Sequence, residues 1–268
     1  MTSTQSVFRD GLLAGQSAFI TGGTSGINLG IACRFAEAGA NVTILGRNPE
    51  KAAQAAEEVR AFGSKVLAVT ADVRDYAALE GAIRTSVEAH GPIDILINGA
   101  AGNFPAPAVG ISSNGFKAVV DIDLVGTFNA CRAAFEHLRK PGARVLSISA
   151  TQGSVASMMQ AHVCAAKAGI EMLTRVLALE WGAAGVRVNA IAPGGVEDTE
   201  GMRRLAPSPA IMTKLAEGVP LKRFASRSEI AEVALFLASP AASYIHGAVL
   251  AVDGGHAHAG FGTSAVLG

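Results

Sequence analysis

The stretch Thr21-Gly22-Gly23-Thr24-Ser25-Gly26-Ile27-Asn28 decides the fold predicted for this chain. It follows a short apolar run at 16–21 (QSAFIT) and precedes a helical pattern that continues to about residue 38. Glycines in such a turn let backbone N–H groups approach a phosphate, whose negative charge the following helix N-terminus favours. The stretch therefore predicts a dinucleotide-binding βα unit, and the alternative is an ordinary strand-to-helix turn.

The rest of the chain repeats this alternation of strand and helix. Further strands are predicted at 41–45, 65–70, 93–97, 144–149, 187–191 and 249–252, and helices at 50–62, 76–90, 116–138, 162–181 and 227–238. Continuous apolar strands separated by helices predict a doubly wound, Rossmann-like parallel sheet with helices on both faces. We expect one domain over 1–268, with the longest irregular stretch, 194–219, as a substrate lid.

Composition narrows the class of protein. The 268 residues are 50% hydrophobic and carry a formal net charge of zero, which disfavours a nucleic-acid or membrane partner. The three cysteines form no Cys-x-x-Cys pair, and the first residues show no secretory signal, so we expect reduced thiols and a cytoplasmic protein. His256-x-His258 lacks an evident third ligand, so no metal site is expected.

The end of the second strand selects between the two nicotinamide dinucleotides. A carboxylate there accepts a hydrogen bond from the ribose 2′-hydroxyl of NAD, whereas an arginine accommodates the 2′-phosphate of NADP. This strand ends in Leu45-Gly46-Arg47-Asn48, which contains no acid and one arginine. Arg47 therefore predicts NADPH/NADP as the cofactor, and the alternative is a solvated charge at a strand end.

The glycine-rich turn resembles the T-G-x-x-x-G-x-G motif of the short-chain dehydrogenase/reductase family. Asn28 stands at the third glycine, where it adds bulk between a helix and a strand that pack closely. The similarity covers nearly the whole chain, including Asn98-Gly99-Ala100-Ala101-Gly102 and Asp253-Gly254-Gly255. The resemblance implies cofactor contacts from Gly22, Thr24, Ser25, Gly26, Ile27, Asp72, Val73, Asn98, Ala100, Lys167, Pro193, Gly194 and Thr199.

The catalytic residues that the resemblance leads one to expect are mostly absent. Most members carry Tyr-x-x-x-Lys, and here the lysine is Lys167 but the tyrosine position holds Val163. The usual serine position holds Ala150, and the usual asparagine position holds Asp123. Tyr76 and Tyr244, the two tyrosines of the chain, lie far from this motif in the sequence.

These departures occur together with Ala100-Ala101-Gly102-Asn103-Phe104 and with 121–123, 199–205 and 237–240. The combination resembles the 2,4-dienoyl-CoA reductases, and most of all their peroxisomal form. It implies an NADPH-dependent reduction of 2,4-dienoyl-CoA to 3-enoyl-CoA by a homotetramer. In this interpretation Asp123, Lys167 and a water form the proton relay. Asn103 and Phe104 border the nicotinamide and the acyl chain, and Arg203 and Arg204 contact phosphates of an acyl-CoA.

Other interpretations remain open at this point. The protein is alternatively a carbonyl reductase in which Asp123 and Lys167 replace the tyrosine, or a catalytically silent nucleotide-binding protein. Lys167 then serves the cofactor alone, and Asp123 is a helix-capping or surface acid. Phe104 then packs within its loop, and the two arginines belong to a solvated face.

Overall fold

A computed structural model describes residues 8–205 and 208–258. Seven parallel strands form one sheet in the order β3-β2-β1-β4-β5-β6-β7. Their bounds are β1 (Ser17–Thr21), β2 (Asn41–Gly46), β3 (Val66–Thr70), β4 (Ile95–Asn98), β5 (Arg144–Ile148), β6 (Arg187–Pro193) and β7 (Val249–Val252). The predicted single-domain, doubly wound sheet is confirmed, with strand ends that differ from the sequence prediction by at most two residues.

Helices cover both faces of the sheet, as predicted. Their bounds are α1 (Gly26–Glu37), α2 (Pro49–Arg60), α3 (Tyr76–His90), α4 (Ser113–Val120), α5 (Gly126–Ala134), α6 (Ala161–Trp181), α7 (Glu200–Leu205), α8 (Pro209–Gly218) and α9 (Arg227–Ala238). One apolar cluster joins α1, α2 and α9 to the sheet, and a second joins α3, α5 and α6 to the other face. No helix in the described part of the chain has the length and apolar character needed to cross a membrane.

The strand order places a crevice beside the glycine-rich turn. The chain moves outward from β1 to β2 and β3, and then returns to place β4 on the other side of β1. Thr21 at the end of β1 pairs in register with Leu45 of β2 and with Asn98 of β4. The three strands therefore end level at the reversal of strand order, which is where open α/β sheets bind ligands.

The helix predicted at 116–138 differs from the structure in one informative way. The helical chain begins earlier, at Ser113, and α4 passes into α5 through a π-helical segment, Asp121–Val125. A single π-helical turn inside an α-helix is rare and frequently lies at a functional site. The sequence prediction did not indicate this turn, because a single π-helical turn is too short for its own apolar period to be detected.

The stretch 194–219 is less irregular than predicted, since it contains α7 and α8. Ser208 caps α8 with its side chain, and Pro209 follows at the first helical position. A serine followed by proline is a helix-start signal, and the sequence prediction missed it because the stretch lacks a clear apolar period.

Candidate active site

The glycine-rich turn lies at the start of α1 and touches the turn that follows β4. Gly22 has a φ of 68°, and a Cβ at this position would lie 2.8 Å from the Cα of Ala100. Only glycine allows both this backbone angle and this approach of the two turns. The resulting groove presents the N-terminus of a 12-residue helix, which suits a pyrophosphate.

Asn28 is accommodated where the sequence predicted excess bulk. Its Nδ2 donates to the carbonyl oxygen of Gly99 at 2.7 Å, and any Cβ at position 99 would overlap the Asn28 side chain. Asn28 thus joins the glycine-rich turn to the turn after β4. Its buried Oδ1 has no hydrogen-bond partner among the described residues, and such an acceptor costs about 1–3 kcal/mol unless a ligand or water meets it.

One depression beside this groove lies at the ends of β2 and β3. Seven of the predicted cofactor residues line it, namely Gly22, Thr24, Ser25, Arg47, Asp72, Val73 and Ala100. Lys51, which the sequence analysis did not single out, lines it too. Hydrogen bonds from Arg74 lower the pKa of Asp72, and the charge of Arg47 lowers it further. Arg47 and Lys51 are both exposed, so two cations border the depression.

A larger cleft of about 400 Å³ opens on the other side of the groove. Predicted residues that line it are Gly26, Ile27, Asn103, Asp123, Lys167, Pro193, Gly194 and Thr199, and Ser25 lines both depressions. Asn98 is different, because it lies buried beneath the surface and its Nδ2 contacts Cys131 Sγ and Ser147 Oγ. The structure thus gives Asn98 a place between β4, β5 and α5 rather than in the cleft.

Asp123 and Lys167 form a buried ion pair in this cleft. The Lys167 ammonium lies 3.1 Å from Asp123 Oδ2, and the side chains are 8% and 1% exposed. Lys167 Nζ also donates to the carbonyl oxygen of Ile148 at 3.0 Å, and the N–H of Gly102 donates to Asp123 Oδ1 at 2.7 Å. Asp123 is therefore neither a helix cap nor a surface acid.

The π-helical segment Asp121–Val125 carries Asp123 into the cleft. Asp121, two residues earlier, is partly exposed and pairs with the Lys117 ammonium on the helix surface. The two acids of the motif therefore have opposite surroundings. The buried pair, and not the exposed one, is therefore the candidate for chemistry in the cleft.

The positions of the usual tyrosine and serine also lie at this cleft. Val163 and Ala150 both line it, and neither side chain can donate a proton. Both tyrosines of the chain are described, and both lie elsewhere. Tyr244 is fully exposed, and Tyr76 contacts the guanidinium of Arg132 on the surface of the α3–α5 layer.

Sequence reasoning missed a second buried polar pair beside the cleft. Ser149, a cleft residue, donates from Oγ to Oε1 of Glu171 at 2.9 Å, and Glu171 is 4% exposed. Gly153 leaves the space that the Glu171 carboxylate occupies. Glu171 stands four residues after Lys167 on α6, so the helical spacing alone was a usable signal.

The structure separates the two residues predicted to border the nicotinamide and the acyl chain. Asn103 lines the cleft, and its buried Oδ1 has no partner among the described residues. Phe104 is not among the lining residues, because its ring packs edge-on against buried His162 with centroids 4.4 Å apart. The ring stays 37% exposed.

Parts of the predicted lid line the far side of the site. Apolar residues from this stretch and its surroundings contribute Val196, Met202, Leu205, Leu215, Val219 and Phe224 to the cleft. Arg203 and Arg204 both pair with Glu200, but Arg204 also donates to the carbonyl oxygen of Asn103 at 2.9 Å. His256, which the sequence analysis considered only as a metal ligand, lines the cleft as well.

Two observations test whether a nicotinamide dinucleotide fits these depressions. In the groove between them, a Cβ on Gly26 would meet only Thr199, at 3.7 Å, so the start of α1 is open to a phosphate chain. Asn28 and Asn103 each hold a buried amide oxygen without a partner in the described chain, and both residues line the cleft. A nicotinamide carboxamide has donors for such oxygens, so the residues present fit this cofactor.

Comparison with known proteins agrees with this geometry. The family described as Enoyl-(Acyl carrier protein) reductase, one of the short-chain dehydrogenase/reductase families, matches residues 22–257. The chain is 43% identical over 251 residues to the peroxisomal 2,4-dienoyl-CoA reductase [(3E)-enoyl-CoA-producing] of Danio rerio, covering 93% of this chain and 84% of that protein. It is 42% identical over 243 residues to the probable 2,4-dienoyl-CoA reductase [(2E)-enoyl-CoA-producing] of Bacillus subtilis, covering 90% and 96%.

A solved structure shows the same architecture. The citronellol catabolism dehydrogenase of Pseudomonas aeruginosa superposes with a TM-score of 0.83 at 36% identity, covering 94% of this chain and 99% of that chain. The fold, the site and these relatives lead to one conclusion: the chain belongs to the short-chain dehydrogenase/reductase family, in which it resembles the 2,4-dienoyl-CoA reductases.

Proposed function

We propose that the protein reduces 2,4-dienoyl-CoA to 3-enoyl-CoA with NADPH, without a catalytic tyrosine. The observation that carries the proposal is the buried Asp123–Lys167 pair, in a cleft where Val163 and Ala150 replace the hydroxyl donors of ordinary carbonyl reductases. The names of the Danio rerio and Bacillus subtilis relatives support a dienoyl-CoA substrate.

The chemistry explains why a tyrosine is dispensable. A bound, reduced nicotinamide would supply a hydride for the far end of the conjugated system, C5. Negative charge then spreads over a dienolate that includes the thioester oxygen, and a proton finally reaches carbon. No product oxygen keeps a proton, so the site needs stabilisation of the developing charge and a proton source near carbon.

Lys167 and Asp123 meet these needs. Among the described contacts, the ammonium donates to Ile148 and faces Asp123, which accounts for two of its three N–H groups. We assign the charge stabilisation to Lys167, which would also hold the nicotinamide ribose of a bound cofactor. Asp123 holds an active-site water and passes the proton with it. Asn103 faces the thioester or the nicotinamide through its unpartnered amide oxygen or, after rotation of the amide, its Nδ2.

The remaining lining residues accommodate the substrate tail. Met202, Leu215, Val219 and Phe224 form an apolar wall around the lid helices, which suits an acyl chain. Arg203 is 64% exposed, and its guanidinium approaches Glu200 no closer than 3.5 Å. It is therefore the arginine that we assign to CoA phosphates. Arg204 was predicted for the same role, but its guanidinium is already bound to Asn103 and Glu200. Phe104 borders the site only through its loop.

The position of the proton donor decides the product. Protonation of the dienolate at C2 gives a 3-enoyl thioester, whereas protonation at C4 gives a 2-enoyl thioester, and the names of the two relatives divide along this line. The Danio rerio relative is named for the (3E) product, and its resemblance leads us to propose C2. Product analysis by NMR after complete turnover distinguishes the two, because only the 2-enoyl thioester remains conjugated.

One assay tests the proposed function against its alternatives. NADPH consumption is followed with 2,4-hexadienoyl-CoA and then with a panel of ketones. We expect turnover with the dienoyl-CoA and none with ketones. Turnover of ketones alone would instead indicate a carbonyl reductase. Measurable NADPH binding without consumption of any dienoyl-CoA would leave a nucleotide-binding protein and overturn the proposal.

Arg47 gives a test of the proposed NADPH preference. Because Arg47 and Lys51 border the adenosine-side depression, we expect Arg47→Leu to raise the Kd of NADPH about tenfold, the low end for a lost charge-assisted bond at an exposed site. The Kd of NADH is expected to stay within about twofold, since its ribose carries no phosphate. Arg60→Leu, at the other end of α2, is the matched control. Equal weakening of both cofactors would contradict the assignment.

We also propose a homotetramer. Exposed apolar side chains form a stripe on α6 at Met172, Val176 and Leu179, the last of which is 86% exposed, and Phe128 of α5 is exposed as well. Such a contiguous face marks an interface rather than scattered exposure. Light scattering coupled to gel filtration is expected to give four times the 27.2 kDa chain mass. Leu179→Glu is expected to lower that mass, and a monomeric wild-type protein would refute the proposal.

A cytoplasmic location is proposed as well. All three cysteines are unpaired thiols, which suits a reducing compartment. The Danio rerio relative is named as peroxisomal, so cell fractionation of the tagged chain is the direct measurement, and recovery with an organelle would overturn this assignment.

A further inference from the structure

Arg204 connects the lid to the turn that carries Asn103. Its Nη1 donates to the carbonyl oxygen of Asn103 at 2.9 Å, across 101 positions of sequence. Its Nε donates to Glu200 Oε1 at 3.1 Å, and its Nη2 lies 3.0 Å from the same oxygen. The guanidinium is thus held by an acid of its own helix while it contacts a distant loop.

The contact with Glu200 orients the guanidinium. Hydrogen bonding from Arg204 is the largest cause of the lowered pKa of Glu200, so this acid stays ionised in the neutral range. A planar guanidinium held at one edge has little freedom left to lose when its other edge binds a carbonyl. The pair therefore preorganises Arg204 toward Asn103.

The turn after β4 is consequently held from two directions. The N–H of Gly102 donates to Asp123 Oδ1 at 2.7 Å, and the carbonyl oxygen of the next residue, Asn103, accepts from Arg204. Asn103 lines the cleft, and its buried amide oxygen has no partner among the described residues. The same short turn thus links the buried ion pair to the lid.

Helix α7 can transmit this contact because it is anchored in the apolar wall. Met202, two residues before Arg204, is 8% exposed and packs with Val219 and Phe224. Met202 lines the cleft, and Arg204 of the same helix binds the turn. A substrate chain that presses on Met202 therefore acts on the helix that positions Asn103.

We propose that Arg204 is a positioning residue that fixes the Gly102–Asn103 turn against Asp123 when α7 packs on the cleft, so that the lid completes the catalytic arrangement. This inference rests on the proposed dienoyl-CoA reduction for its kinetic consequence. The structural consequence, which is that the lid protects the turn from hydrogen exchange, is independent of the proposed reaction.

The experiment compares Arg204→Met with Lys214→Met, which removes an exposed cation from α8 of the same lid. Because misplacing one positioned group costs catalysis more than it costs binding of a cofactor held at many other points, we expect Arg204→Met to lower kcat for 2,4-hexadienoyl-CoA roughly fivefold to tenfold. The Kd of NADPH is expected to change less than about twofold. Lys214→Met is expected to match the wild type, and Arg204→Lys to recover part of the loss, since lysine keeps a donor but not the fork.

A second readout needs no turnover. Amide hydrogen exchange is measured over peptides that cover 98–105 and 199–205 in the wild type and the variants. We expect faster exchange in both segments for Arg204→Met only, because each then loses its contact with the other. If the wild type reduces no dienoyl-CoA but this exchange pattern holds, the proposed function fails and the positioning role stands. If exchange in 98–105 is the same in Arg204→Met and Lys214→Met, the positioning role is wrong whatever the activity.

Discussion

Asp123→Asn is expected to lower kcat for a 2,4-dienoyl-CoA by about 10²–10⁴-fold, the range for loss of a positioned acid or base. The carboxylate lies 3.1 Å from the Lys167 ammonium and accepts from Gly102 through its other oxygen. An amide can keep the Gly102 contact with its oxygen, but it then points an N–H₂ group at the ammonium. The variant therefore loses both the charge that holds a water and the group that passes its proton.

The same π-helical segment offers the matched control. Asp121→Asn removes an acid two residues away, which is 27% exposed and pairs with Lys117 on the surface. This control is expected to keep kcat within about twofold, since exposed pairs contribute little. Steady-state kinetics with 2,4-hexadienoyl-CoA, with NADPH binding measured in parallel, compares the two. Full turnover by Asp123→Asn would remove Asp123 from the proton relay.

Breaking the buried pair is expected to have the second large effect, this time on stability. We expect Lys167→Met and Asp123→Asn each to lower the free energy of unfolding by about 3–5 kcal/mol, because each leaves an uncompensated charge or an unmatched donor in a buried site. The double variant removes both charges, so its loss is expected to be smaller than the sum of the single losses by roughly 1–3 kcal/mol.

Urea unfolding at one protomer concentration and without cofactor measures these differences, since association and bound ligand both raise apparent stability. The exposed Lys117–Asp121 pair on the same helical chain serves as the reference cycle. Its coupling is expected to be about 0.3–0.5 kcal/mol, typical of i,i+4 pairs at a surface. A coupling between Asp123 and Lys167 no larger than this reference would show that the two groups do not interact as a buried pair.

These two experiments are independent in what they decide. Because Asp123→Asn is expected to lose stability as well, its kcat is measured where the variant is fully folded, and an activity loss there points to chemistry. A loss of unfolding free energy that added NADPH restores would instead indicate that the ion pair stabilises the folded cofactor site. The double variant is expected to fold and yet stay inactive. Replacing both charges removes the cost of burying an unpaired charge but does not restore a proton donor.

The sequence predicted the sheet and most helices well, because their signals are local. Alternation of apolar strands with amphipathic helices and a glycine-rich turn at the first crossover imply the doubly wound order. Helices α3 and α9 and strand β7 were predicted to the residue. The errors fell on 194–219 and on the π-helical turn, where short elements leave little periodicity to detect.

The site was predicted unevenly for the same reason. Arg47, Asp123 and Lys167 were found from position within motifs, and each lines one of the two depressions. Glu171 was missed, although it pairs with Ser149 only a short distance from Lys167 along α6. Asn98 and Phe104 were expected at the cleft, but the structure packs Asn98 beneath it and Phe104 beside it. A motif states which residue is present and leaves open which way its side chain turns.

By itself, the sequence determined the fold class, the place of the glycine-rich turn and the absence of a tyrosine four residues before Lys167. Only the tertiary structure decided which distant groups meet. It brings Asn28 to Gly99 across 71 positions and Arg204 to Asn103 across 101. It also turns Asp123 inward toward Lys167 and leaves Asp121 at the surface. The physical reason is that strand and helix formation depends on neighbouring residues, whereas burial and ion pairing depend on which elements the sheet places side by side.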